Sequence, residues 1–344
     1  MDGNVAVNDA GPLVRALRDP SSVKSLGSEG WTALISMARA EQLVGSLAYQ
    51  AQGLELPVVA ARLMADARRS AEHQRRQALW EAEMARRALS DLDVPVILLK
   101  GTAYVAAGLS AGIGRSIGDL DILVPRDALD VVERALIERG GWEWVKEDDY
   151  DDAYYRDHMH ELPPLIHKER DRMIDVHHTI LPLTAKPTPD AEALVADSVE
   201  MANGLRFLSP PDMICHAAAH LFADGDLAGG LRNLWDIDRL CRDFFTEPRF
   251  WETLGERAAR HELTKAVARA LRLAESLYGT PLGGDVAGRA SAGDGLYIRR
   301  LLARDGWGRE TRKPLRFAFY LRSHWLRMPP LMLARHLFTK WRKA

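Results

Sequence analysis

The chain has 344 residues, 47% hydrophobic and 27% charged, which fits about two globular domains with a sizeable core. Its two cysteines, Cys215 and Cys241, are too few for a disulfide framework or a four-thiolate zinc site, so a reducing cytoplasmic setting is expected. The N-terminal stretch MDGNVAVNDAGP has neither the basic nor the apolar region of a signal peptide, and no run reaches the roughly 18 apolar residues of a membrane span.

Residues 12–52 read as helical, with Leu34, Ile35, Leu43, Val44 and Leu47 at spacings of three and four. Pro57 can open a second, longer helix running to about Leu92, charged on its surface and packed along one narrow stripe. The pattern changes at Asp93. Val94-Pro95-Val96-Ile97-Leu98-Leu99 is continuously apolar, as in a buried strand, and Lys100-Gly101 ends it at the start of a helix. A loop bearing Gly108, Gly112 and Gly114 leads to a second buried strand over 120–124. An amphipathic helix over 126–139 ends at the Gly140-Gly141 pair. Further strands are predicted at 142–145, 165–167 and 173–180.

After Pro187 the chain reads as helical again. Ser209-Pro210-Pro211-Asp212 caps a helix over 213–222, followed by helices at 231–245 and a pair within 249–279. A glycine-rich linker spans 279–295, and the helical material of 296–344 is broken at Pro329-Pro330. The division is therefore a helical region (1–92), an α/β core (93–185), a helical region packed on the core (186–280) and basic amphipathic helices (296–344). The class is α+β with a mixed α/β core.

The chemistry concentrates in the core. In Asp119-Leu120-Asp121 the two carboxylates sit two residues apart at a strand start and share one side, while Leu120 and Ile122 face the other. Such a pair suits a hard cation such as Mg²⁺ or Mn²⁺ that keeps positions open for phosphates. Asp175 is a lone carboxylate within an apolar strand and needs a cation or other partner. Lys100, Gly101 and Thr102 stand where a glycine at a helix start lets phosphate approach backbone N–H groups. Arg115, four residues before Asp119, can serve as a bidentate phosphate donor. An Asp175–Arg115 or Asp175–Lys100 ion pair is the purely structural alternative.

The run LLKG…R…GDLDILV followed by IDVHHTI resembles the uncharacterised bacterial nucleotidyltransferase family of the DNA polymerase β superfamily, over roughly residues 30–245. The resemblance implies a polymerase-β-like core flanked by helices. It implies Asp119, Asp121 and Asp175 as metal ligands and catalytic carboxylates, with a nucleoside triphosphate as donor. Lys100-Gly101-Thr102 departs from the usual Gly-Ser turn at that place. The implied reaction moves a nucleoside monophosphate to an acceptor hydroxyl or phosphate on a small molecule, peptide, protein or RNA. Two other readings stand beside it: a glycosyltransferase using a nucleotide sugar through the D-x-D pair, and a degenerate fold serving as a binding module.

Other features have plainer readings. His177 shares the face of Asp175 in a regular strand and His178 takes the opposite one. His216 and His220 lie four apart on one helix face and read as interhelical histidines paired with Asp236 or Asp238 rather than a zinc site with Cys215. His158, His160 and His167 fall in a polar stretch, a solvated loop or an acceptor loop. Residues 311–344 hold nine basic side chains and no acidic one, whereas the rest carries 37 Lys+Arg against 48 Asp+Glu. With the interleaved Phe317, Phe319, Tyr320, Trp325 and Trp341, this suits an anionic surface, membrane or nucleic acid, or a helix pair packed on the acidic body.

Overall fold

The structure is a computed structural model that describes residues 9–146, 149–223 and 226–327. The helical expectation for 12–52 resolves into three short helices, α1 (Gly11–Arg18), α2 (Ser28–Ala40) and α3 (Val44–Gln50). Pro20 closes off α1, and Gln42 at φ 55° turns the chain between α2 and α3. Helix α4 (Val58–Ala88) starts directly after Pro57. It buries Ala60, Met64, Ala71, Ala78, Ala82 and Ala85, a stripe of mostly small side chains that lets it lie close to its neighbours.

The sheet begins with β1, which is only Ile97–Leu98. Pro95 has no N–H for the ladder, and Lys100 at φ 48° turns the backbone away immediately afterwards. Helix α5 (Lys100–Ala106) follows, then β2 (Leu120–Leu123), all four residues buried. Helix α6 (Leu129–Glu138), β3 (Trp142–Trp144), α7 (Asp149–His158), β4 (Leu165–His167) and β5 (Met173–His177) complete the expected core. Helix α7 occupies the acid-rich stretch that carries no apolar periodicity.

The stretch after Pro187 is not wholly helical. It supplies α8 (Ala191–Ala196) and then β6 (Val199–Glu200) and β7 (Arg206–Phe207). The seven strands form one mixed sheet in the order β3-β4-β5-β2-β1-β7-β6. At its centre β2 runs antiparallel to β1 and parallel to β5, and β7 pairs with β1 in parallel. The two-residue β7 exists because β1 offers it a ladder, through bonds such as Arg206 N–H to Val96 O (2.9 Å), and β7 in turn pairs with β6.

Four helices, α9 (Pro210–Ala223), α10 (Gly230–Phe244), α11 (Phe250–Arg260) and α12 (Thr264–Tyr278), pack together, and α10 also lies against the turn at Ser110–Gly112. Asp212, fully buried, holds them by accepting from Arg257 (2.7 and 2.6 Å) and His261 (3.0 Å). Buried Tyr278 donates to Leu231 O (2.9 Å). The chain continues through α13 (Asp294–Leu301) and α14 (Lys313–Arg327). The predicted break at Pro329-Pro330 and the basic end beyond it lie outside the described residues. No described helix is long and apolar enough to cross a membrane.

Candidate active site

The centre of the site follows from strand register. Asp121 on β2 and Asp175 on β5 are Cα partners across a parallel ladder, so their side chains stand side by side on one face. His177, two residues after Asp175, shares that face, and its Nε2 lies 3.1 Å from Asp121 Oδ1. On the other side of Asp121 the Lys100 ammonium comes to 2.6 Å of the same oxygen. That reach depends on the turn at Lys100, because β1 ends two residues earlier and Leu99 N–H still bonds Asp121 O (3.0 Å).

Electrostatics separate the two carboxylates. Burial alone would raise Asp121, but Lys100 and His177 outweigh it and hold the carboxyl well below the usual range. Asp175 has burial plus the charges of Asp121 and Glu161 against it, and is pushed up to about 7. Asp119, more exposed and one residue before β2, is raised by burial and then by Asp121. It lines a small cleft against α4 with Gln77, Glu81, Gly118 and Arg172. The three expected carboxylates are thus in electrostatic contact, although among the described residues they do not form a closed group of ligand atoms. The group that does is His160, Glu161 and His177, whose ligand atoms all lie within 4.8 Å of one another.

A second pocket opens beside Lys100, lined by Tyr104, Arg115, His216, Ala217, His220, Asn233 and Asp236. Arg115 is buried here. Its Nε donates to Asp236 Oδ2 (3.0 Å) and its guanidinium lies over the Tyr104 ring at 5.5 Å. Gly101 makes the approach feasible, since a Cβ there would collide with Arg115 Nη1. The structure therefore brings Lys100, Gly101 and Arg115 together beside Asp121, with Thr102 buried behind them. Arg232 of α10 adds a further cation, lowered to about 10, first by the charge of Arg115 and then by burial.

The histidines sort out differently from their sequence readings. His216 faces this pocket with Asp236, and burial followed by the charge of Lys100 lowers it well below its ordinary value. Asp238 belongs elsewhere, bound to Arg242 (3.0 Å) and Thr280 (2.8 Å). Cys215 is buried on the side of Asp212, away from the pocket lining. His167 packs edge-on against Trp142, and its Nδ1 accepts from the Glu169 and Arg170 N–H groups. His160 is the member of the polar stretch that reaches the site, 5.2 Å between ring centroids from His177. Glu161, Arg232 and Asn233 were not flagged by the sequence, because Glu161 lies between α7 and β4 and the other two on α10, far in sequence from Asp121.

The chain matches, over residues 27–279, the model of a family described as an uncharacterised nucleotidyltransferase. No curated protein matches it.

Proposed function

Because the chain belongs to the uncharacterised nucleotidyltransferase family, we propose that it moves a nucleoside monophosphate from a nucleoside triphosphate to an acceptor hydroxyl or phosphate, with Asp119, Asp121 and Asp175 as ligands of Mg²⁺ or Mn²⁺. The register that stands Asp121 beside Asp175 carries this reading. The donor set fits a hard dication, since it offers carboxylate oxygens and one member, Asp175, is pushed up to about 7 by burial and neighbouring negative charge. A cation facing Asp175 would relieve both. Held by Asp119, Asp121 and Asp175, such an ion would supply positive charge to offset that developing on the phosphates during in-line displacement.

The chain's own residues have distinct tasks. Asp121 is kept ionised by Lys100 and His177. Lys100, Gly101, Thr102 and Arg115 hold the triphosphate, and Arg232, whose charge acts on Arg115, joins them as a further cation. Asp175 would hold the ion and help take the acceptor's proton.

Titration calorimetry with ATP, GTP, CTP and UTP tests the proposal. At least one nucleotide should bind with Mg²⁺ and not in EDTA, and Asp121→Asn should abolish that binding and any transfer. Equal binding in EDTA, or wild-type transfer by the folded variant, removes the reading.

A further inference from the structure

The segment 160–162 lies against β5. Leu162 N–H bonds Val176 O (2.9 Å), His178 N–H bonds His160 O (2.9 Å), and Glu161 forms an antiparallel bridge with His177. This backbone pairing turns three side chains toward one point. Glu161 Oε2 stands 3.4 Å from His177 Nδ1 and 3.7 Å from His160 Nε2.

The two ring nitrogens of His177 are engaged differently. Nε2 meets Asp121 Oδ1 at 3.1 Å. His177 is 1% exposed, and Nδ1 is buried with no hydrogen-bond partner despite its closeness to Glu161. A buried ring nitrogen and a carboxylate set this close without a hydrogen bond suit a positive species between them. A dication with ligand bonds of about 2.0–2.1 Å in tetrahedral array sets its ligand atoms roughly 3.4 Å apart. The two measured separations are close to that edge length.

We infer that His160 Nε2, Glu161 Oε2 and His177 Nδ1 form a site for one borderline dication of the zinc class, separate from the ion assigned to the three carboxylates. Imidazole nitrogen with a single carboxylate selects such ions over Mg²⁺, which prefers oxygen. The site couples to the proposed catalytic centre through His177. A histidine that ligates a metal through one nitrogen and donates to a carboxylate through the other is held in a single tautomer and orientation. Here that carboxylate is Asp121, so the bound ion is a positioning element for Asp121.

The test uses the full chain, stripped with a chelator and titrated with Co²⁺ and then Zn²⁺ in excess Mg²⁺. A single equivalent of Co²⁺ should bind with the visible absorption of a nitrogen-and-oxygen-ligated site, Zn²⁺ should displace it, and Mg²⁺ should not. His160→Ala and Glu161→Gln, each checked for fold by circular dichroism, should each weaken binding more than about tenfold; either suffices if the other does not fold. Asp175→Asn should retain the equivalent. The inference is overturned if no equivalent binds in excess Mg²⁺, if the folded variants bind as the wild type does, or if Asp175→Asn loses it. Failure of nucleotide binding would leave this result standing, so the two readings can fail separately.

Discussion

At the scale of single residues, the site sets two neighbouring carboxylates to opposite protonation states. Asp121 is buried but faces Lys100 and His177, and stays ionised. Asp175 is buried beside Asp121 and Glu161, and lies up near 7. Its folded value is above that of an unfolded aspartate, so the folded state binds the extra proton between roughly pH 4 and 7. Metal-free stability attributable to Asp175 is therefore greatest below that window, falls through it, and levels off above it. A dication that binds Asp175 must displace this proton at pH 6 but not at pH 8. Mg²⁺ is expected to raise the thermal midpoint more at pH 8 than at pH 6, and Asp175→Asn should remove the difference. Scanning calorimetry at both pH values decides it; an equal rise at the two would mean that Mg²⁺ does not reach Asp175. That Asp175 and His177 share a face was legible because strand alternation fixes where i and i+2 point, whereas Asp119 lies before β2 and lines a cleft against α4. The Lys100–Asp121 contact was not, because it depends on a left-handed turn at a lysine, which no residue preference announces.

At the scale of elements, the cation wall is held by a close crossing of backbones. Gly114, at φ 70°, lies against the start of α3, and a Cβ there would come 2.5 Å from Gly45 C and 2.6 Å from both Gly45 O and Ser46 N. These are backbone atoms of a helix, so α3 would have to move. Gly114→Ala should therefore cost more than the positive φ alone, on the order of 2–4 kcal/mol. Arg115 is the next residue, so its bond to Asp236 should be disturbed as well. Urea unfolding should show the loss, and nucleotide binding by the folded fraction should weaken with it; wild-type stability would mean that the crossing is looser than described. The glycine loop was visible in the sequence, but not what it passes. Strand β4 matches its predicted span and β2 falls one residue short, since continuous apolar runs bounded by turns mark buried strands. Strands β6 and β7 escaped because two residues, half-exposed or exposed, carry no period; β7 depends on β1 for its ladder and β6 on β7. Helix α7 escaped for a related reason: its Asp- and Tyr-rich sequence has no apolar stripe.

For the molecule as a whole, the charge asymmetry acquires a partial structural account. Helix α14 is seated on the body, with Phe319 buried edge-on against Tyr297 at 4.9 Å between ring centroids. Arg316 is paired with Asp226 (2.7 Å) and with Glu310, and Arg322 lies over Tyr297 at 5.3 Å. These basic residues are engaged with the protein, as the packed-helix reading expects. On the same helix Phe317 is 60% and Trp325 51% exposed. Arg335, Lys340, Arg342 and Lys343 follow with no acidic residue among them. Two truncations should separate packing from docking. Ending the chain at Glu310 removes Phe319 and its ring contact, and should lower stability by about 2–4 kcal/mol. Ending it at Arg327 leaves those contacts in place. The second truncation removes four cations, and we predict that it weakens co-sedimentation with anionic vesicles. The full chain should bind such vesicles at low salt, ignore neutral ones, and be released as salt shortens the screening length below about 10 Å. If the full chain stays in the supernatant with anionic vesicles at low salt, the basic end is not a membrane-docking element. Sedimentation unchanged by the Arg327 truncation would move the contact to α14 itself, where Phe317 and Trp325 are the exposed apolar groups.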